Sequence, residues 1–383
     1  MTAIYFDHAA TTPMRPEAIA AYAEAAGAGP GNPSSLHAYG RASRARLTAA
    51  RDDLAQLLGC SPAELVFTGS GTESDNTAIF GAAAAQRDKG RTSIVTTAVE
   101  HHAVLKACRQ LERQGFSLIV LPVDESGRVP VAEAARAIDE RTALVSVMAG
   151  NNETGTLQPY AEIGAIARER GALLHVDGVQ AFGYTRWDLR SQPIDLLSLS
   201  AHKINGPQGV GLLYARKGAP YRPLLHGGSQ ERARRAGTEN VPGIAAFAAA
   251  ARIAFRELDE RIRHVEAVRS AFLQALSAQL PQEAYRLNGH SEHRLPHVAN
   301  VSFPGCSTDS MLMNLDLAGI AASGGSACTS GSLQPSHVLA AMGLPQPVVN
   351  SAVRFSFGLG NTIQEAVKSA KIIATIWARI RIR

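Results

Sequence analysis

Between residues 47 and 214 the apolar and polar positions recur in one form: a stretch with helical spacing, a short apolar or β-branched run, then a turn or polar cluster. The short runs predict strands over 65–68, 93–96, 118–121, 143–147, 173–177, 196–200 and 211–214. Their apolar residues are mostly continuous, as in strands covered on both faces. Between them, segments such as 160–170 place Ile163, Ile166 and Ala167 on one helical face. Strands alternating with helices predict an α/β unit built on a mostly parallel, helix-covered sheet. After Asn240 the pattern changes to a long Ala-rich helical stretch over 244–279, a polar loop over 288–293, and a fresh set of short strands and helices. This part reads as a smaller α+β C-terminal domain.

Composition closes several classes. The 383 residues are 45% hydrophobic and 19% charged, with 34 Gly and 19 Pro, which excludes collagen, coiled coil and disorder. A net charge of +5, from 38 Lys plus Arg against 33 Asp plus Glu, is a mild excess over so long a chain, and no nucleic-acid partner is expected. The longest nearly uncharged apolar run, 241–251, contains Pro242 and Gly243 and falls short of the ~20 residues of a membrane span. No membrane association is expected. The first residues lack the basic and apolar regions of a secretory signal, so the expected location is cytoplasmic. Four cysteines, Cys60, Cys108, Cys306 and Cys328, lie far apart with no CxxC pair, against both a zinc ribbon and a disulfide framework.

Polar clusters gather at the C-terminal ends of the predicted strands, where an open α/β sheet builds its ligand crevice. Thr68-Gly69-Ser70-Gly71-Thr72-Glu73-Ser74 joins a strand to a helix and frees backbone N–H groups and hydroxyls for a phosphate. It is neither a P-loop, which needs Gly-Lys-Ser or Gly-Lys-Thr, nor a dinucleotide fingerprint, which needs a third glycine. A second strand ends at Asp177 and leads to Gln180; a third ends at Ser200 and delivers His202 and Lys203. The interval from Asp177 to Lys203 leaves room for one helix-and-strand unit, so an acid and an amine are expected at neighbouring strand ends. An amine for a Schiff base, a carboxylate for a pyridine nitrogen and a phosphate cup together point to pyridoxal 5'-phosphate.

Further motifs span almost the whole chain. They are Tyr5-Phe6-Asp7-His8-Ala9-Ala10-Thr11-Thr12, Gly31-Asn32-Pro33-Ser34-Ser35-Leu36-His37, Glu100-His101-His102-Ala103-Val104, Asn151-Asn152-Glu153-Thr154-Gly155 and His175-Val176-Asp177-Gly178-Val179-Gln180. Ser200-Ala201-His202-Lys203, Gly237-Thr238-Glu239-Asn240, Ser323-Gly324-Gly325-Ser326-Ala327-Cys328-Thr329-Ser330-Gly331 and Val353-Arg354-Phe355-Ser356-Phe357-Gly358 follow in order. With them the chain resembles the cysteine desulfurases of the nitrogen-fixation and iron–sulfur-cluster type (group I), among the class V aminotransferase-like, fold-type I pyridoxal-phosphate enzymes. The resemblance implies a large cofactor domain over 13–255, and a small domain formed by 1–12 and 256–383 that carries the Cys328 loop. It implies a homodimer that converts L-cysteine to L-alanine, leaves a persulfide on Cys328, and passes sulfur to an iron–sulfur scaffold or other acceptor protein.

The same resemblance implies roles for individual residues. Lys203 would carry the cofactor and move protons, Asp177 would face the pyridine nitrogen, Gln180 the ring hydroxyl, and His101 the ring face. Gly71, Thr72, Ser200 and His202 would hold the phosphate, with Thr238 reaching the phosphate in the neighbouring subunit. Asn152 would contact the ring or the substrate near it, and Arg354, assisted by Asn32, would grip the substrate carboxylate. Ala201 stands where the family usually has glycine.

Cys328, set among glycines, serines and a threonine, would be the sulfur-accepting thiol; Cys60, Cys108 and Cys306 read as structural. The competing classes are a selenocysteine lyase or transaminase on the same fold, and a catalytically silent sulfur-transfer scaffold. His290-x-x-His293-x-x-x-His297 lacks the spacing of a paired helical metal site, so no metal is expected. The five basic residues over 368–383 read as a solvated helix end, with a partner-docking tail as the alternative.

Overall fold

A computed structural model describes residues 3–325 and 335–381. Among them the strands are β1 (Ile4–Tyr5), β2 (Leu65–Thr68), β3 (Ser93–Thr97), β4 (Ser117–Leu121), β5 (Thr142–Met148), β6 (Leu173–Asp177), β7 (Leu196–Ser200) and β8 (Gly211–Ala215), followed by β9 (Arg286–Asn288), β10 (Val298–Ser302), β11 (Ile320–Ala321) and β12 (Ala352–Ser356). The seven strands expected between 65 and 214 are all present, within a residue or two at their ends. They form one sheet in the order β2-β8-β7-β6-β5-β3-β4. β3 to β7 pair in parallel, and β8 runs antiparallel between β2 and β7. β5, β6, β7 and β8 are buried along their whole length, which accounts for their unbroken apolar runs. β4 lies at the sheet edge and is half exposed.

The Ala-rich stretch departs from expectation. It is two helices, Val241–Arg256 and Leu258–Gln279, interrupted at Glu257. The first buries Ala246 and Ala248 to Ala251 against helices Pro16–Gly27 and Ala38–Leu58, where small side chains allow close approach. The second buries Val265, Val268, Phe272 and Leu276, and packs against helix Ile363–Ile380. One straight helix cannot present both stripes to two differently placed layers.

β9, β10 and β12 form a separate antiparallel sheet. The N-terminal residues join this region: β1 pairs in parallel with β11, and Asp7 bridges to Ser356. The basic C-terminal stretch belongs mostly to helix Ile363–Ile380, which starts with a capping box from Thr362 and Glu365 and buries Ala366, Ala370, Ile373 and Ile376.

Arg51 ties helix Ala38–Leu58 to the sheet. Its guanidinium donates to both carboxylate oxygens of Glu231 at 2.9 and 2.5 Å and to the Leu65 carbonyl at 2.8 Å. Glu231 also accepts the Phe67 N–H at 3.0 Å. It opens three consecutive left-handed non-glycine residues, Glu231, Arg232 and Ala233, with φ of 49°, 60° and 61°. Both partners are buried, so removing one strands the other without water. Arg51→Ala should cost about 3–5 kcal/mol, the usual penalty for leaving half of a buried pair. Thermal unfolding of the variant at the wild-type midpoint would contradict that expectation.

Candidate active site

The parallel strands end together, and a cavity opens at their C-terminal edge. Gly71, Thr72, His101, Asn152, Asp177, Gln180, Ser200, His202, Lys203 and Arg354 all line it. Register explains much of this: Asp177 pairs with Ser198, so β7 runs two residues further before the turn Ala201–Lys203. Acid and amine therefore reach one wall from adjacent strands.

Lys203 Nζ donates to the carbonyls of Ala9 and Ala10 at 2.5 and 2.8 Å. The N-terminal segment thus forms a strap over the lysine. Thr12 binds the His202 carbonyl through its N–H at 3.0 Å and its hydroxyl at 2.7 Å, and Asn205 N–H donates to the same hydroxyl at 2.7 Å. Asn205 adopts φ 66°, which turns the chain sharply after Lys203. Gln180 Nε2 donates to the Ala9 carbonyl at 2.7 Å, and His202 Nδ1 lies 3.1 Å from Thr11 Oγ1. The motif Tyr5 to Thr12 carries no sequence-level task for the lysine, because the groups that hold Lys203 are backbone carbonyls; the side-chain contacts of Thr11 and Thr12 go to His202 and Asn205 instead.

Asp177 ends β6 with one carboxylate oxygen accepting the Val179 N–H at 3.0 Å. Burial pushes its carboxyl up to about 6, against the Val179 N–H and the Lys203 charge, which both favour ionisation. Two further buried carboxyls sit nearby. Asp75, on helix Gly71–Arg87, lines the cavity and is raised well above the usual range, first by burial and then by Asp177. Glu100 is raised to about 8 by burial, although it accepts from Thr97 Oγ1 at 2.7 Å and Met148 N–H at 2.9 Å. Neither was anticipated. Asp75 was legible in principle, since four residues from Gly71 put it on the same helix face.

Helix Gly71–Arg87 aims its N-terminus at the cavity, with Ser70 as its cap accepting the Glu73 N–H at 3.1 Å. A Cβ at Gly71 would lie 2.8 Å from Val179 Cγ2 and 3.6 Å from Ser200 Cβ, so only glycine keeps this cradle open. Free N–H groups at a helix start, with hydroxyls from Thr72 and Ser200, suit a phosphate. A lysine amine and a buried carboxylate at the other end complete a donor set that fits pyridoxal phosphate. Ala201 is fully buried in the hydrophobic core and is not among the residues that line the cavity.

His101 caps helix His102–Arg113, its Nδ1 accepting the Ala103 N–H at 3.2 Å. Burial, with Lys203 next in importance, lowers its imidazole to about 4, so it is neutral at physiological pH. Arg354 on β12 is 1% exposed, donating to the Asn152 carbonyl at 2.9 Å and to Asp7 at 2.8 Å. Its Nε has no hydrogen-bond partner among the described residues.

Two predicted residues lie elsewhere. Asn32 is exposed and uses its side chain to accept the Ser34 N–H at 2.9 Å, and exposed Thr238 lines a different cavity with Phe67, Glu231 and Arg235. Cys328 falls outside the described residues. Cys60, Cys108 and Cys306 are buried, and burial pushes the first two thiols up to about 12 and raises the third. His297, from the candidate metal triad, is buried and stacks on Tyr184 with ring centroids 3.8 Å apart.

A family model described as aminotransferase class-V matches residues 4–368. The chain belongs to the class-V aminotransferase family. It is 45% identical over 379 residues to "Cysteine desulfurase IscS" of Methanosarcina thermophila, covering 99% of this chain and 93% of that protein. "Cysteine desulfurase" of Trichormus azollae is 43% identical over 381 residues, covering 100% of this chain and 94% of that protein. A solved "NifS-like protein" superposes with a TM-score of 0.92 at 37% identity, over 99% of this chain and 100% of its own. The mostly parallel sheet of this class-V chain is accordingly the fold-type I scaffold, and pyridoxal phosphate is the cofactor of the family.

Gly71→Ala should weaken pyridoxal phosphate binding at least tenfold, read by titrating the visible absorption of cofactor-free protein; unchanged affinity would refute the cradle. A pH dependence follows from Asp177. Below about 6 its carboxyl carries a proton that must leave before it can face a cationic ring, so this contribution to affinity falls as pH drops through 6 and is constant above. The wild-type advantage over Asp177→Asn should therefore shrink from pH 7 to pH 5. A constant ratio across that range would exclude the assignment.

Proposed function

We propose that this class-V chain is a pyridoxal-phosphate-dependent cysteine desulfurase, with L-cysteine and the Cys328 thiol giving L-alanine and a Cys328 persulfide. The observation that carries the reading is the single cavity in which Lys203, Asp177, the Gly71 cradle and Arg354 converge. Full-length identity to cysteine desulfurases supports the same reaction over a selenocysteine lyase or transaminase. Retention of the lysine, the carboxylate and the phosphate cradle argues against a silent scaffold.

The bound cofactor supplies an electron sink for the substrate's α-carbon. Lys203 would hold the cofactor and move the proton at that carbon, and the Asp177 carboxylate would balance the ring nitrogen's charge. Gln180 would bind the ring hydroxyl. Neutral His101 would face the ring and take up and return a proton. Gly71, Thr72, Ser200 and His202 would hold the phosphate, joined by Thr238 of a second copy; exposed Thr238 suits a homodimer. Arg354, which lines the cavity with Asn152, would receive the substrate carboxylate; exposed Asn32, the third residue expected there, lies outside the cavity of the single chain.

The Cys328 thiolate attacks the substrate sulfur: an S–S bond forms, the C–S bond breaks, and its electron pair stays on the carbon, which is protonated to alanine. Buried, high-pKa Cys60, Cys108 and Cys306 are unsuited to that attack. We further assign the cofactor unit to 13–255 and a smaller unit to 1–12 with 256–383, a division supported by the helix break at Glu257. The sulfur acceptor is an iron–sulfur scaffold or another thiolation protein, reached in the cytoplasm. No helix among the described residues is long and apolar enough to cross a membrane.

The test is alanine and sulfide production from L-cysteine under a thiol reductant. Equal yields are expected from wild type, with none from Cys328→Ala, which keeps its visible cofactor band, and loss of the normal band in Lys203→Ala. A fully cofactor-loaded wild type that makes no alanine would overturn the reading.

A further inference from the structure

We propose that Arg261 is a positioning residue for Lys203, holding Asn205 in the backbone conformation that turns the lysine toward the N-terminal strap. This rests on the role given to Lys203 above. Asn205 follows the lysine by two residues, is buried and sits at φ 66°, a left-handed conformation that is costly for any residue with a Cβ and persists only where the surroundings impose it. Here every polar group of the residue is engaged. Its N–H donates to Thr12 Oγ1 at 2.7 Å, its carbonyl accepts the Arg15 N–H at 3.0 Å, and its Nδ2 donates to the Pro13 carbonyl at 2.9 Å. Those three partners lie in one short stretch of chain. The fourth comes from elsewhere: Oδ1 accepts from Arg261 Nη1 at 2.9 Å, on helix Leu258–Gln279.

Arg261 is an expensive residue at this position. It is 2% exposed, and it forms no ion pair among the described residues. It also stands near the start of its helix, where the dipole disfavours a cation. Burying a guanidinium without a carboxylate costs stability, so packing alone gives no reason for it. Its other contact is an aromatic one. Nη2 donates to the Tyr184 hydroxyl at 3.2 Å, and the guanidinium lies 4.6 Å from the centroid of the same ring, which itself stacks on His297. Tyr184 thus fixes the guanidinium while Nη1 reaches Asn205.

The clamp reaches the amine through a closed set of bonds. Thr12 Oγ1, which receives the Asn205 N–H, donates to the His202 carbonyl at 2.7 Å, so the strap is tied to the chain on both sides of Lys203. Lys203 Nζ donates to the Ala9 and Ala10 carbonyls of that strap. Asn205 leaving the left-handed region would move Thr12, and with it those carbonyls, against the lysine backbone. Ångström-scale misplacement of a reacting group costs rate steeply. A glycine at 205 would hold the same turn without a clamp.

The test uses the holoenzyme with Arg261→Met, which keeps an apolar stem but no donor, with Asn205→Ala, and with Arg261→Met added to Asn205→Gly. Expected in the two single variants are a full complement of cofactor, a KM for L-cysteine within twofold of wild type, and a kcat for alanine at least fivefold lower. Circular dichroism of the visible cofactor band, which reports how the cofactor is seated on Lys203, should change by at least a third in both. Added to Asn205→Gly, Arg261→Met should change kcat less than twofold. An equal fall in both backgrounds overturns the proposal, because Arg261 would then act other than through Asn205. Wild-type kcat or wild-type dichroism in either single variant overturns it too, and Asn205→Ala decides alone where Arg261→Met does not fold. A wild type that makes no alanine defeats the desulfurase reading instead, and the dichroism of the loaded variants then decides the positioning.

Discussion

The pairing of β6 with β7 is the constraint on which the site depends. Asp177 opposite Ser198 sets how far β7 extends beyond the acid, and a slip of one residue would turn every side chain of the strand to the other face of the sheet. A buried imidazole pins this register. His175 Nδ1 lies 2.8 Å from Ser146 Oγ on β5, and its Nε2 lies 2.9 Å from Ser198 Oγ on β7. Burial lowers its pKa to about 3, so the ring stays neutral, with one donor and one acceptor matched by two hydroxyls that serve as either.

Around that pairing the cavity has a definite electrostatic character. Asp75, Glu100 and Asp177 are buried carboxyls, whereas His101 and His202 are lowered to about 4 and carry no charge near neutrality. Lys203 supplies a compensating charge and is held by the strap carbonyls. Such a site favours a ligand with a cationic ring at the Asp177 end and an anionic group at the helix start.

The N-terminal strap joins this site to the rest of the chain. Residues 4–7 run beside β11 and reach Ser356, while Asp7 pairs with Arg354 and residues 9–12 cover the lysine. The wall that presents Lys203 and the sheet that presents Arg354 are thus connected through eight or nine residues of backbone, which leaves the amine and the guanidinium little independent freedom.

The strands from 65 to 214 were legible because a fully covered strand must be continuously apolar, and the chemistry at their ends was legible because parallel strands finish at one edge. Lysine, acid and glycine cradle, all local to strand ends, were found from the chain alone. The paired helices over 241–279 were not separable, since an Ala-rich stretch has the same helical pattern whichever layer it packs on. The strap over Lys203 escaped for a related reason: it joins residues far apart in the chain, and it holds the amine through backbone carbonyls. Strand positions, the chemistry at their ends and the family could all be read from the chain alone. Tertiary structure decided that Asn32 and Thr238 stand outside the cavity of a single chain, that Asp75 and Glu100 crowd Asp177, and which carbonyls hold the lysine, because burial and cross-chain hydrogen bonding arise only when distant segments are packed together.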